Sequence, residues 1–170
     1  MNKKLIPSYY AKSVLNVDIK KLLAMQITNV FLDLDNTLAN PYVETPSIEI
    51  KNFLQNLIDN SLNVYVVSNN HEPRVKKFLE GLNVKYLYEV KKPKTKRLLT
   101  FINEHNIDLS KSIYIGDQIM TDVLIANKLN IKVILVEPLT KQDEPITFIP
   151  RLLDKHYRKK LAKKYDIEVF

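Results

Sequence analysis

Asp33 and Asp35 stand two positions apart in the run Asp33-Leu34-Asp35-Asn36-Thr37-Leu38, directly after an apolar stretch. Ser68-Asn69-Asn70, Lys91-Lys92-Pro93 and Gly116-Asp117-Gln118 occur further along, with Asp122 a turn after the last. Two carboxylates this close repel each other, and a divalent cation that prefers oxygen ligands relieves the repulsion. Asp117 supplies a third oxygen donor. Magnesium suits such a set, because it keeps water and phosphate oxygens in its octahedron and needs few protein carboxylates. A hydroxyl and an ammonium at the same point would orient and neutralise phosphoryl oxygens. An aspartate can itself attack phosphorus and split one displacement into two. Zinc competes poorly: the chain has no cysteine, and His71, His105 and His156 are scattered.

These residues reach one place only if a fold delivers them there. Asn29 to Leu34 reads as a buried strand, and Ser47 can cap a helix to about Asn60 whose Ile50, Phe53, Leu54, Leu57 and Ile58 share one face. Asn63 to Val67 is a second apolar strand and Glu72 to Leu79 a second helix, with Gly81 placed to terminate it. A short strand within Val84 to Val90, a helix over Thr95 to His105, a strand over Ser112 to Ile115, a helix over Ile119 to Leu129 and a strand over Lys132 to Val136 complete the series. Strands apolar on both faces, alternating with helices, predict an α/β fold with a mostly parallel sheet covered on each side. Ligands in such sheets bind beyond the carboxyl ends of the strands. Asp33, Ser68, Lys92 and Asp117 each follow one of them.

Composition narrows the field further. Only two glycines occur, Gly81 and Gly116, so neither a three-glycine dinucleotide fingerprint nor a Walker A loop can form. The 170 residues fit one domain, 1–170. Lys3 and Lys4 are followed too soon by Pro7, Ser8, Tyr9 and Tyr10 for a secretory signal, and no apolar run approaches membrane-spanning length. Absence of cysteine suits a reducing compartment. The expectation is a cytoplasmic protein, at most peripheral at the inner face of the membrane.

The net charge is +7, and basic residues gather in three places. There are five lysines against one acid in Met1 to Leu32, six basic residues against one acid in Lys85 to Arg97, and seven against three in Pro150 to Phe170. Such clusters suit phosphate-rich partners, whether anionic lipid, nucleic acid or a phosphorylated substrate, and equally suit a solvated surface.

The four motifs, taken in order, resemble the haloacid dehalogenase (HAD) phosphatase superfamily. Its D-x-D-x-T motif matches Asp33-Leu34-Asp35-Asn36-Thr37, its strand ending in Ser or Thr matches Ser68, its lysine is best matched by Lys92, and its acidic pair by Asp117 and Asp122. Lys91 and Lys94 compete for the lysine position. The resemblance covers about Thr28 to Glu137 and implies a three-layer Rossmann-like core over about 28–137, with segments 1–27 and 150–170 as appendages. It implies Asp33 as nucleophile, Asp35 as general acid and then base, and Ser68 and Lys92 as partners of the transferring phosphoryl group. Mg2+ would be held by Asp33, the main-chain carbonyl of Asp35, and Asp117, with Asp122 behind them. Asn69 and Thr37 are expected to touch substrate.

Members of this superfamily commonly carry a cap domain between the first and second or the second and third motifs. Here each gap has room for only a loop, one helix and its flanking strand, so no cap domain is expected, and Pro41 to Pro46 forms at most a small flap. An open site suits a large substrate. Asp-Leu-Asp-Asn-Thr-Leu, Val-Ser-Asn-Asn, Lys-Lys-Pro and Ile-Gly-Asp-Gln-x-x-Thr-Asp-Val resemble subfamily IIIA, YqeG-type, similar to phosphatidylglycerophosphate phosphatases. That likeness implies a phospholipid phosphate as substrate. A nucleotide or sugar phosphate, or an RNA- or ribosome-associated binding role on the same scaffold, are the alternatives, with nucleic acid not favoured. The stripe Leu15, Ile19, Leu22, Leu23 could rest on a membrane or on the core, and the C-terminal Leu153, Tyr157, Leu161, Tyr165 on anionic lipid, on nucleic acid or on the core.

Overall fold

The computed structural model describes residues 2–140 and 148–170. Among them six strands form one open sheet: β1 (Tyr9–Ala11), β2 (Asn29–Leu32), β3 (Asn63–Val67), β4 (Lys85–Leu87), β5 (Ser112–Gly116) and β6 (Lys132–Val136). Their spatial order is β1-β6-β5-β2-β3-β4, and every neighbouring pair is parallel. The mostly parallel sheet expected from alternation is thus parallel throughout. β2 and β5, at its centre, are buried along their whole length, which is why both are apolar after their first residues, Asn29 and Ser112.

Alternate strand residues divide the core into two layers. Val30, Leu32, Val64, Val66, Ile113, Ile115, Ile134 and Val136 face one side. There they meet α1 (Ile19–Ala24), α2 (Ile48–Asp59) and α3 (Glu72–Phe78). Phe31, Tyr65, Val67, Tyr114, Val133 and Leu135 face the other, against α4 (Lys96–Glu104), α5 (Leu124–Lys128) and α6 (Phe148–Lys164). Phe31 stacks between Tyr65 and Tyr114, with ring centroids 5.2 and 6.3 Å away. α2 begins as its sequence requires: Ser47 Oγ accepts the Ile50 N–H at 3.4 Å. Among the described residues no cap domain interrupts the core.

Both terminal segments contribute to the sheet and the core. β1 adds an edge strand on β6, pairing Tyr9 with Ile134. The outer edge of β1 is itself covered by the C-terminus, since Tyr10 donates its N–H to Glu168 and Phe170 donates to Tyr10. Of the N-terminal stripe, Leu22 is fully buried and Ile19 packs on the core, whereas Leu15 and Leu23 stay exposed. In α6, Leu161 is buried and Tyr157 and Tyr165 pack on the second layer, while Leu153 is exposed. Both stripes therefore rest chiefly on the protein itself.

The helix expected over Ile119 to Leu129 is two pieces, a π-helical turn over Ile119–Val123 and then α5. The wide turn carries Asp122, whose carboxylate folds back to accept the Gln118 N–H at 3.1 Å. Gly81, with φ +77°, lies two residues past the C-cap Leu79 rather than immediately after it.

Candidate active site

Parallel register aligns the strand ends. Leu32 pairs with Val66 on one side and Ile115 on the other. The residues that follow each strand therefore emerge abreast: Asp33, Ser68, and Gly116-Asp117. Asp33 keeps the ladder for one more step, its N–H bonding the Ile115 carbonyl at 2.9 Å.

Lys92 enters at the centre of this edge. Its ammonium lies 2.5 Å from Oδ1 of Asp33 and 2.6 Å from Oδ1 of Asp122, and donates to the Val67 carbonyl at 3.1 Å. All three side chains are at most 9% exposed. Lys91 and Lys94, the competitors in sequence, both point to solvent. Asn69 holds Lys92 in place through its main chain: Asn69 Oδ1 accepts the Lys92 N–H at 2.6 Å and Nδ2 donates to the Lys92 carbonyl at 3.4 Å.

Asp33, Asp117 and Asp122 are all buried, and each can offer one oxygen with the three atoms within 4.8 Å of one another. Against three carboxylates stands one ammonium. Buried excess negative charge in an all-oxygen donor set fits a hard divalent cation. Burial pushes the Asp33 carboxyl up to about 7 against the pull of Lys92, with Asp122 and Asp35 adding to the rise. Burial alone would lower Lys92, but Asp122 and Asp33 hold it well above the ordinary lysine value, so it stays charged. Burial also raises the hydroxyl of Tyr114, which donates to Asp122 Oδ1 at 3.3 Å.

Thr37 Oγ1 donates to Asp117 Oδ1 at 3.3 Å, so its side chain orients an acidic neighbour instead of projecting outward. Asp117 does not cap the following helix; the N-cap position belongs to Gln118, which makes no side-chain capping bond. Gly116 has a definite reason to be glycine: a Cβ there would lie 2.5 Å from Cβ and Cγ of Asp122. Ser68, 1% exposed, accepts the Asn70 N–H on Oγ at 3.0 Å.

Asp35 sits at the more open rim with both carboxylate oxygens engaged. Asn70 Nδ2 donates to Oδ2 at 3.1 Å and Arg74 Nη2 to Oδ1 at 3.2 Å. Arg74 also reaches the Asn40 carbonyl at 3.4 Å and stacks over Phe78. Its Nε and Nη1 are buried with no hydrogen-bond partner among the described residues. Sequence reading missed Arg74, because nothing local links it to Asp35. It also missed Tyr114, which in sequence is merely an apolar strand residue. His71 lies aside, exposed and paired with Glu89 at 2.7 Å.

Comparison with known proteins bears on the family and the fold. The family model described as haloacid dehalogenase-like hydrolase matches residues 42–136. The chain is 28% identical over 168 residues to "Probable phosphatase YqeG" of Bacillus subtilis strain 168, covering 99% of this chain and 98% of that one. Among solved structures, an uncharacterized protein from Listeria monocytogenes serotype 4b superposes with a TM-score of 0.55 at 16% identity, over 79% of this chain and 99% of the other. A hypothetical protein from Xanthomonas campestris gives 0.54 at 16% identity, over 73% and 72%. At these identities the two structures share the fold.

Proposed function

The chain belongs to the haloacid dehalogenase-like hydrolases, and from that premise we propose a magnesium-dependent phosphomonoesterase that works through an aspartyl-phosphate on Asp33. Family membership and the near full-length likeness to a probable phosphatase make it a phosphatase. The observation that carries the mechanism is the pairing of Asp33 with a buried lysine on one side and acidic neighbours on the other.

Asp33 attacks phosphorus in line with the leaving alcohol, forming its carboxyl–phosphorus bond as the ester P–O bond breaks. Asp35 gives its proton to the departing oxygen and then, as carboxylate, takes one from the water that hydrolyses the acyl phosphate. Ser68 and Lys92 hold the phosphoryl oxygens, and Lys92 also offsets the charge on Asp33. The main-chain carbonyl of Asp35, with the carboxylates of Asp33 and Asp117, would hold Mg2+, which when bound shields the carboxylates from the incoming phosphate and stabilises its equatorial oxygens. Asp122 keeps Lys92 and the Gln118 peptide in place. Asn69 would stand beside substrate while fixing Lys92, and Thr37 would act through Asp117.

Substrate preference follows from openness. Only α2 separates β2 from β3 and only α3 separates β3 from β4, so among the described residues no domain closes over Asp33. Such a site accepts a phosphate presented on a large body, and we assign it the terminal phosphate of a phospholipid, phosphatidylglycerophosphate, met from the cytoplasmic side of the membrane. No helix among the described residues is long and apolar enough to cross a membrane, which fits contact from one side. Release of inorganic phosphate from vesicles containing phosphatidylglycerophosphate, compared with soluble nucleotide and sugar phosphates, with and without Mg2+, tests the assignment. Preference for a soluble phosphate would overturn the substrate, and full activity without a divalent cation would overturn the metal dependence.

A further inference from the structure

The C-terminal helix reaches back to the acidic loop through Arg158 and Asp154. Arg158 donates from Nη2 to the main-chain carbonyl of Asp117 and, at 2.8 Å, to that of Val136 at the end of β6. Its Nη1 donates to Glu137 Oε1 and its Nε to Asp154 Oδ2, both at 2.9 Å. Asp154, one turn earlier, is buried and accepts the Ile119 N–H on its other oxygen at 2.5 Å. The peptide joining Asp117 to Gln118 is thus gripped at both ends: its carbonyl by Arg158, its N–H by Asp122 at 3.1 Å. With the Ile119 N–H held as well, three successive main-chain groups after β5 are fixed by charged side chains.

We propose that Arg158 is a positioning residue for Asp117: its guanidinium sets the peptide plane that aims the Asp117 carboxylate at the metal, and so determines how tightly the cation binds. This rests on the metal-dependent reading above. Arg158 lies beyond the stretch matched by the family model, and no motif of the sequence marks it. Its chemistry suits the task. A planar fork can serve two carbonyls and two carboxylates at once, which a lysine ammonium cannot do with the same geometry. Residues that orient metal ligands from behind typically cost 10- to 100-fold in metal affinity when changed.

Binding of Mn2+ to the full chain, followed by the loss of its free electron-spin-resonance signal, reads this directly without any substrate. Arg158→Lys and Arg158→Met should each weaken Mn2+ binding about 10-fold or more. Leu161→Ala, which loosens the same helix at an apolar contact, should leave the affinity within about twofold. Arg158 variants that stay folded by circular dichroism and bind Mn2+ like the parent would overturn the proposal. So would Leu161→Ala weakening binding as much as the Arg158 variants, because helix docking alone would then account for it. Failure of the underlying reading looks different: the parent would not bind Mn2+, or Asp117→Asn would bind it equally well, and the role of Arg158 would fall with it.

Discussion

Lys92 Nζ lies 2.5 Å from Oδ1 of Asp33, and both side chains are almost wholly buried. The same ammonium is 2.6 Å from Asp122, so one cation serves two carboxylates, one at the end of β2 and one in the π-helical turn after β5. Removing one partner of a buried pair leaves the other charge without compensation, at a cost of about 3–5 kcal/mol. Lys92→Met should therefore lower the melting temperature markedly in EDTA, with Mg2+ restoring part of it, since added positive charge answers the stranded carboxylates. Phosphatase activity should fall by about 100- to 1000-fold even with Mg2+ present.

Asp33 gives the metal-free protein a distinctive pH dependence. Its carboxyl is pushed up to about 7 in the fold, chiefly by burial, from an ordinary value near 4 in the unfolded chain. The folded state therefore holds this proton more tightly than the unfolded state. The stability it contributes is fully present below about pH 4 and is lost as pH rises through about 7. Asp33→Asn cannot titrate. Measured in EDTA, the melting temperature of Asp33→Asn relative to the parent should climb between pH 5 and pH 8. A difference that stays flat or falls would show that burial does not govern this carboxyl.

The two glycines should differ in activity, not in the sign of the stability change, when replaced by alanine. At Gly116 a methyl group meets Asp122 at 2.5 Å, so Gly116→Ala must displace the side chain that holds Lys92. Loss of most activity and about 1–3 kcal/mol of stability is expected. At Gly81 nothing lies within 4 Å of an added Cβ, and the cost is that of φ +77° alone. Gly81→Ala should lose about 1–2 kcal/mol and keep full activity. Equal activity loss in the two variants by steady-state assay would contradict the assignment of Gly116 to the site.

Arg74 and Asn70 together fix the Asp35 carboxylate. Arg74→Ala should lower kcat by about 10- to 100-fold through misplacement of Asp35, the proposed general acid, while Mn2+ affinity stays that of the parent. A variant that loses metal affinity in step with kcat would place Arg74 elsewhere in the chemistry.

Much of this arrangement was legible in the sequence because each key residue follows an apolar run. β2, β3, β5 and β6 announce themselves by runs of Val, Ile, Leu, Phe and Tyr, and parallel topology then brings Asp33, Ser68 and Asp117 to one edge. Ser47 marked the start of α2 by its own capping chemistry. β1 escaped notice, since three residues at a sheet edge carry no period to recognise. The apolar spacing at Ile119–Val123 predicts plain helix; the π-helical turn goes with a contact between Asp122 and the Gln118 N–H that no residue preference signals. Arg74 and Arg158 were invisible for a related reason. Each acts across the fold on a residue tens of positions away, and an isolated arginine in a helix looks like any solvated one.

Trapping the covalent intermediate tests the mechanism most directly. Asp35→Asn, mixed with an aryl phosphate whose leaving group needs no proton and quenched in acid within one turnover, should carry one phosphoryl group. Mass spectrometry of the digested protein should place it on Asp33, and hydroxylamine should remove it. A phosphoryl group on any other residue would contradict the account, as would turnover of the same ester by Asp33→Asn at the parent's rate.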